Sequence, residues 1–192
     1  MSRPLSYQFG KLKAMTLLTL GHKSHALKVF DALLQIRPLD RYAMASRAHL
    51  LAQLGDKPAA IASLEQLTSA HPDHAAAWFN LAYMLEDAKR PAEAEPMFRR
   101  VLALDPGMDR AWYGLALVLI QERRFDEALE ALKKNTELQP MSPFGWYQLA
   151  RVHVERREPD EAVKIIRHLK GFEPKVAAQL ERDTGLRAAP SA

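Results

Sequence analysis

The chain has no cysteine in its 192 residues. Disulfides and cysteine-ligated metals are thereby excluded, although the absence suits any compartment. There is no glycine-rich phosphate loop, no nucleophile elbow and no HExxH pair, so the sequence offers no catalytic constellation and no cofactor, and an enzyme is not expected. No stretch approaches the ~20 apolar residues of a membrane span. The segment most like a leader, Lys11–Leu20 (KLKAMTLLTL), has basic residues before an apolar run. That run is short, however, and Gly21-His22-Lys23 follows where a small-x-small cleavage site would stand. It reads as a helix of the fold, and a cytoplasmic location is expected. No segment alternates polar and apolar residues over the length of a strand, so no β-structure is expected. A basic stripe is missing too. The net charge is +4, and no run of Lys and Arg follows one helical face, which disfavours nucleic acid as a partner.

What is present is a repeat. Ala75–Met108 opens with an apolar stripe, Trp78, Leu81, Ala82 and Leu85, at spacings that put one helix face toward a core. Lys89, Arg90 and Pro91 interrupt it, and proline suits the first turn of a new helix. A second stripe, Ala94, Met97, Phe98, Val101 and Leu102, ends at Asp105-Pro106-Gly107. Shifting by 34 residues maps Pro106 onto Pro38, Pro72, Pro140 and Pro174, and Ala94 onto Ala26, Ala60, Ala128 and Ala162. The same shift maps Ala82 onto Ala14, Ala48, Ala116 and Ala150, and Trp78 onto Trp112 and Trp146. Self-similarity at one fixed period over this length marks a repeat array.

These recurring residues, with Trp, Leu and a small residue on the first helix, Ala and Phe on the second and then Pro, resemble the tetratricopeptide repeat. The likeness runs from Tyr7 to Val176. It implies an all-α, right-handed helical-repeat solenoid of five units: 7–40, 41–74, 75–108, 109–142 and 143–176. Residues 1–6 are expected as an N-terminal tail, 177–185 as a C-terminal capping helix closed by Gly185, and 186–192 as a loose tail. Counting positions within each unit, the alanines at positions 8 and 20 let the two helices cross closely. Large residues at 4, 7 and 24, the tryptophans among them, fill the surrounding core. A lone helix pair cannot bury its apolar face, so stacked neighbours supply that core.

Several departures carry structural expectations. Gly10 and Lys13 replace Trp and Leu in the first unit, as suits an end repeat whose sites face water. Gly21 and Gly55 are expected at inter-helix turns that need positive φ. Arg47 stands at a leucine position and is expected to snorkel. Asn135 and His153 are expected as hydrogen-bonded packing residues. The histidine pairs His22/His25 and His71/His74 lack a third ligand and read as surface residues, so no metal is expected.

The resemblance also implies that the first helix of each unit turns positions 2, 5, 9, 12 and 13 toward a concave groove. The expected partner-binding residues are Tyr42, His49, Phe79, Tyr83, Arg110, Tyr113, Leu117, Phe144, Tyr147 and Arg151. Aromatic side chains in a concavity are good anchors for a protein or peptide segment. The clamp that some family members use for acidic chaperone tails requires Lys and Asn at set positions. Starting from the first unit, those positions hold Lys11, Met15, Ser46, Ala76 and Asn80, from the second Ala45, His49, Asn80, Arg110 and Gly114, and from the third Phe79, Tyr83, Gly114, Phe144 and Gln148; none matches, which disfavours such a clamp. The expected role is non-catalytic binding of a peptide or helical segment of another protein. The alternatives are a chaperone for a secreted or assembling client and a structural subunit that self-assembles or docks through its end repeats.

Overall fold

The computed structural model describes residues 3–188, with side chains from Ser6 onward. These residues form eleven α-helices and no strand. They fall into two compact units, Met1–Arg90 and Pro91–Ala192. The first holds α1 (Arg3–Thr19), α2 (Lys23–Ile36), α3 (Arg41–Gln53), α4 (Lys57–Ala70) and α5 (Ala75–Asp87). The second holds α6 (Pro91–Leu104), α7 (Asp109–Gln121), α8 (Phe125–Leu138), α9 (Pro143–Glu155), α10 (Pro159–Lys170) and α11 (Pro174–Thr184). Within each unit, helices that follow one another in sequence pack together.

The periodic alanines sit at the deepest points of the packing. Ala14, Ala48, Ala82, Ala116 and Ala150 at position 8, and Ala26, Ala60, Ala94, Ala128 and Ala162 at position 20, are all buried. The large residues at position 24, Phe30, Leu64, Phe98, Leu132 and Ile166, are buried as well. Helix starts follow local chemistry. The Asp40 carboxylate accepts the Ala43 N–H at 2.9 Å, Asp56 accepts that of Ala59 at 3.1 Å, and Pro91, Pro143, Pro159 and Pro174 each open a helix.

Position 15 has positive φ in every unit: Gly21 (77°), Gly55 (86°), Lys89 (60°), Arg123 (60°) and Arg157 (62°). The glycines were expected there, the three cationic residues were not. Each turn closes with the same pair of bonds. Around Arg123, its own N–H donates to Ile120 O at 3.0 Å and the next N–H, of Arg124, reaches back to Leu119 O at 2.9 Å. This is the Schellman arrangement, which satisfies the last carbonyls of the first helix and needs a left-handed residue whatever its side chain.

Four expectations are corrected. The tryptophans at position 4 do not belong to the buried core. Trp78, Trp112 and Trp146 are half-buried, and each indole N–H donates to a proline carbonyl six residues earlier: Pro72 (3.0 Å), Pro106 (2.9 Å) and Pro140 (2.8 Å). An indole with a polar N–H works best where one end is apolar and the other finds an acceptor. The first helix therefore ties back to the proline turn before it, which connects two recurring positions, 4 and 32.

Gly10 does not face water either, since a Cβ there would lie 2.6 Å from Leu33, which packs directly on the glycine. The N-terminal tail is shorter than expected: α1 begins at Arg3, so residues 3–6 are helical. At the other end, Gly185 closes α11 in the left-handed conformation (φ 71°), but the helix begins at Pro174 and the following residues are held. The Ala188 N–H donates to Glu181 at 2.9 Å, its carbonyl accepts from Lys170 at 2.6 Å, and Ala188 itself is buried. The rest of the expected tail, 189–192, lies outside the described residues.

The polar departures have partners. Asn135 is buried, and its amide donates to Asp109 O at 2.9 Å. His153 Nδ1 lies 2.8 Å from Glu158. Arg47 pairs with Asp31 at 2.7 Å and donates to Ser63, joining α2, α3 and α4.

Candidate first-helix binding faces

Positions 2, 5, 9, 12 and 13 recur on one side of a helix because their spacings return near the same azimuth. In α3, α5, α7 and α9 none of these positions is buried. Beside them, positions 3, 8 and 10 are buried throughout: Ala43, Ala48 and Leu50 on α3, and Ala111, Ala116 and Val118 on α7. Each of these first helices thus keeps one face for neighbouring helices and leaves another uncovered or partly covered.

In the first unit, Tyr42 and His49 are exposed on α3, while on α5 Tyr83 is 57% exposed and Phe79 is half-buried. The Lys11 ammonium of α1 lies 4.4 Å from the centre of the Tyr42 ring, a cation–π contact between groove positions of adjacent first helices. His49 Nε2 and the Gln53 amide are 2.7 Å apart.

In the second unit, Arg110 is exposed on α7 with Tyr113 and Leu117 half-buried, and Phe144 and Arg151 are exposed on α9 with Tyr147 half-buried. Tyr113, Phe144 and Tyr147 converge with Pro143, Gln148, Val176 and Gln179 on a pocket of about 270 Å³. Its walls come from α7, α9 and α11, so α11 occupies the place a sixth first helix would take. Phe144 at its mouth is 68% exposed, unusual for a phenylalanine that no partner covers.

Tyr147 is less free than its expected role suggests. Its hydroxyl donates to Asp183 of α11 at 2.5 Å, and this bond together with partial burial raises the phenol above its ordinary pKa. Arg151 stands 5.9 Å from the Tyr147 ring. The link to α11 was not visible in sequence, because a Tyr–Asp contact 36 residues apart has no local signature. A second pocket, about 200 Å³, lies between Ile120, Arg123, Phe125 and Gln148, Arg151, Glu155. The ten expected residues therefore divide into two sets, with four in the first unit and six in the second.

Charge pairs link α6, the α7–α8 turn and α8 in the second unit. Arg124 contacts Glu95 (2.6 Å), Glu127 (2.7 Å) and Glu122 (2.9 Å), and Arg99 joins Glu95 and Glu127, both at 2.8 Å. The Arg124 hydrogen bond is the main cause that holds both Glu95 and Glu127 below the usual carboxylate range. Side chains already paired in this way offer a partner little. No helix among the described residues is long and apolar enough to cross a membrane, and none of these residues form a His/Asp/Glu cluster fit to hold a metal ion.

The comparisons with known proteins agree with the helix pattern. Among solved structures, MamA is 20% identical with a TM-score of 0.82, covering 96% of this chain and 98% of that one. MamA from residue 41, of Desulfovibrio magneticus RS-1, is 20% identical with a TM-score of 0.79, covering 97% and 99%. YrrB, described as a TPR protein with an unusual peptide-binding site, is 17% identical with a TM-score of 0.80, covering 95% and 98%. Identities this low show a shared all-α repeat fold and nothing finer. No curated protein matches the sequence. One tetratricopeptide-repeat family model matches residues 46–109 and another matches residues 85–143. With its 34-residue period and buried alanines at positions 8 and 20, the chain belongs to the tetratricopeptide-repeat family.

Proposed function

We propose that this protein is a non-catalytic interaction module whose first-helix faces bind a peptide or helical segment of another protein. The observation that carries the reading is the pocket of about 270 Å³ formed by Tyr113, Phe144 and Tyr147 with the side of α11. Apolar and aromatic side chains supply most of its lining and Gln148, Gln179 and the Tyr147 hydroxyl supply polar groups, a composition that suits a site for one anchoring side chain. Tyr42, Phe79 and Tyr83 supply a second aromatic surface in the first unit. Rigid aromatic side chains give large contact area at low entropic cost, which suits them to anchor a flexible segment. Repeats of this family generally mediate protein–protein interaction, and YrrB is described as having a peptide-binding site.

The test is affinity capture followed by mass spectrometry, comparing the wild type with Tyr83→Ala/Phe144→Ala. Both side chains are mostly exposed, so the variant is expected to fold as the wild type does. Partners that bind through these faces disappear from the variant's capture. An identical set from both proteins would move binding elsewhere.

A further inference from the structure

The outer face of α1 is the strongest unexplained feature outside the first-helix binding faces. In the internal repeats, position 3 is where a first helix meets the second helix of the preceding repeat. A Cβ on Gly145 would lie 2.1 Å from Asn135 and 3.0 Å from Thr136, both on α8. In the first unit, Ala43 of α3 shares one buried cluster with Leu33 of α2. Ala43, Ala77, Ala111 and Gly145 at position 3, and Leu50, Met84, Val118 and Val152 at position 10, are all buried. On α1 the equivalent positions hold Phe9 and Thr16, and no helix among the described residues covers them.

What lies there is apolar. Phe9 is 67% exposed and Leu12 62%, on the side of α1 opposite its buried residues Tyr7 and Ala14, and Leu20, in the turn just past the helix, is 63% exposed. Three large side chains this exposed along one helix and the turn that follows it are the pattern of an interaction site rather than of scattered surface hydrophobics. The charge of α1 itself has one sign. Arg3–Thr19 contains no acidic residue, Lys13 is exposed on the same side, and Lys23 and Lys28 are exposed on α2. The only acidic residue of α2, Asp31, is paired with Arg47.

We infer that the outer face of α1 docks an acidic amphipathic helix of a partner protein, seated as α2 is seated on α3. The helical occupant follows from continuity with the inter-repeat packing already present in the chain. Its charge follows from the basic, acid-free sequence of α1, with Lys13 beside the apolar stripe, which would repel the same face of a second copy. Phe9 replaces the small residue found at this position elsewhere, so the docking helix must leave a recess where α2 meets only a methyl group.

The experiment uses the full chain and a synthetic peptide of residues 125–138, the α8 sequence, carrying Lys133→Glu, Lys134→Glu and Asn135→Ala, the last opening a recess for Phe9 where Asn135 packs against Gly145. This is a helix that covers position 3 of α9 in the native structure, made uniformly acidic. Fluorescence anisotropy should show saturable binding, weakened about tenfold or more by Phe9→Asp/Leu20→Asp and several-fold by Lys13→Glu. Tyr83→Ala/Phe144→Ala should leave it unchanged, which separates this surface from the binding faces proposed above. Circular dichroism melting confirms that each variant is folded. Absence of binding overturns the inference, as does binding that persists in Phe9→Asp/Leu20→Asp. Two further results would also overturn it: a dimer in light scattering that Phe9→Asp/Leu20→Asp dissolves, showing a second copy as occupant, or Phe9-dependent sedimentation with phosphatidylserine vesicles, showing a membrane.

Discussion

Replacing Gly145 by alanine tests the inter-repeat packing at a point where two departures from the repeat pattern meet. Position 3 is alanine in the three preceding units, but glycine in the fifth. Position 27 of the unit before it holds Asn135, where the other units have Leu33, Leu67, Val101 and Leu169. The structure links the two, because the added methyl would stand 2.1 Å from Asn135 Oδ1 and 3.2 Å from its Cγ. Asn135 cannot retreat easily, being buried and bonded to Asp109 O. Overpacking of this kind costs roughly 1–3 kcal/mol, and loss of the amide bond adds about 1 kcal/mol. The greater rigidity of alanine in a helix returns about 0.5–1 kcal/mol, leaving a net loss of roughly 1–3 kcal/mol. At 2–4 °C per kcal/mol for a chain of roughly this size, the melting temperature should fall by about 2–12 °C.

The rescue is more discriminating than the loss. Asn135→Val with Gly145→Ala recreates the pair that Val101 and Ala111 form one repeat earlier, both fully buried. The double variant should match or exceed the wild type, giving a coupling of about 1 kcal/mol or more in a double-mutant cycle read by thermal or urea unfolding. If the two single effects simply add, the glycine is not there to accommodate the asparagine, and the reasoning is wrong.

Further outcomes follow from the same structure. Arg123→Gly should stabilise the chain by roughly 0.5–1 kcal/mol, because φ is 60° there and a Cβ is disfavoured, and an unchanged urea midpoint would contradict it. Trp112→Phe keeps a ring and loses the bond to Pro106 O, costing about 0.5–1.5 kcal/mol, while Trp112→Ala should cost less than the roughly 3–5 kcal/mol of a fully buried aromatic. Glu158 is lowered from 4.5 to about 2, chiefly by Arg156 and then by His153. A depressed carboxylate contributes stability above its unfolded value that is lost as pH falls from 4.5 toward 2, so Glu158→Gln should make the acid-side melting profile shallower in that window. A profile that superimposes on the wild type would remove Glu158 from acid stability.

Much of this architecture was legible because the repeat encodes it in spacing. Ala82 and Ala94 could be placed at buried sites without coordinates, since small residues at fixed positions between apolar stripes leave few other places to put them. Residues acting through the backbone were harder to read. Lys89, Arg123 and Arg157 adopt the left-handed turn that Gly21 and Gly55 adopt, but a lysine or arginine carries no local sign of it, because the neighbouring hydrogen bonds impose the conformation. The tryptophans misled in the opposite way. Strong recurrence of a large aromatic suggested core, whereas Trp78, Trp112 and Trp146 recur because an indole N–H can reach a proline carbonyl. On the binding faces, Phe144 and Tyr83 were identifiable as surplus to the packing stripe, while the Tyr147–Asp183 bond depended on where α11 folds back. The outer face of α1 has no signature in the sequence for a related reason. Leu12 and Leu20 look like core residues until the structure shows that no helix of the described chain lies against them.

Exposed aromatics on the first helices are proposed to bind a protein segment while contributing little to folding. The direct measurement is isothermal titration of a captured partner segment into wild type and into Tyr83→Ala/Phe144→Ala, with melting curves on the same samples. The dissociation constant should rise about thirtyfold or more, equivalent to about 2 kcal/mol, with the melting temperature nearly unchanged. An unchanged dissociation constant in a folded variant would contradict it.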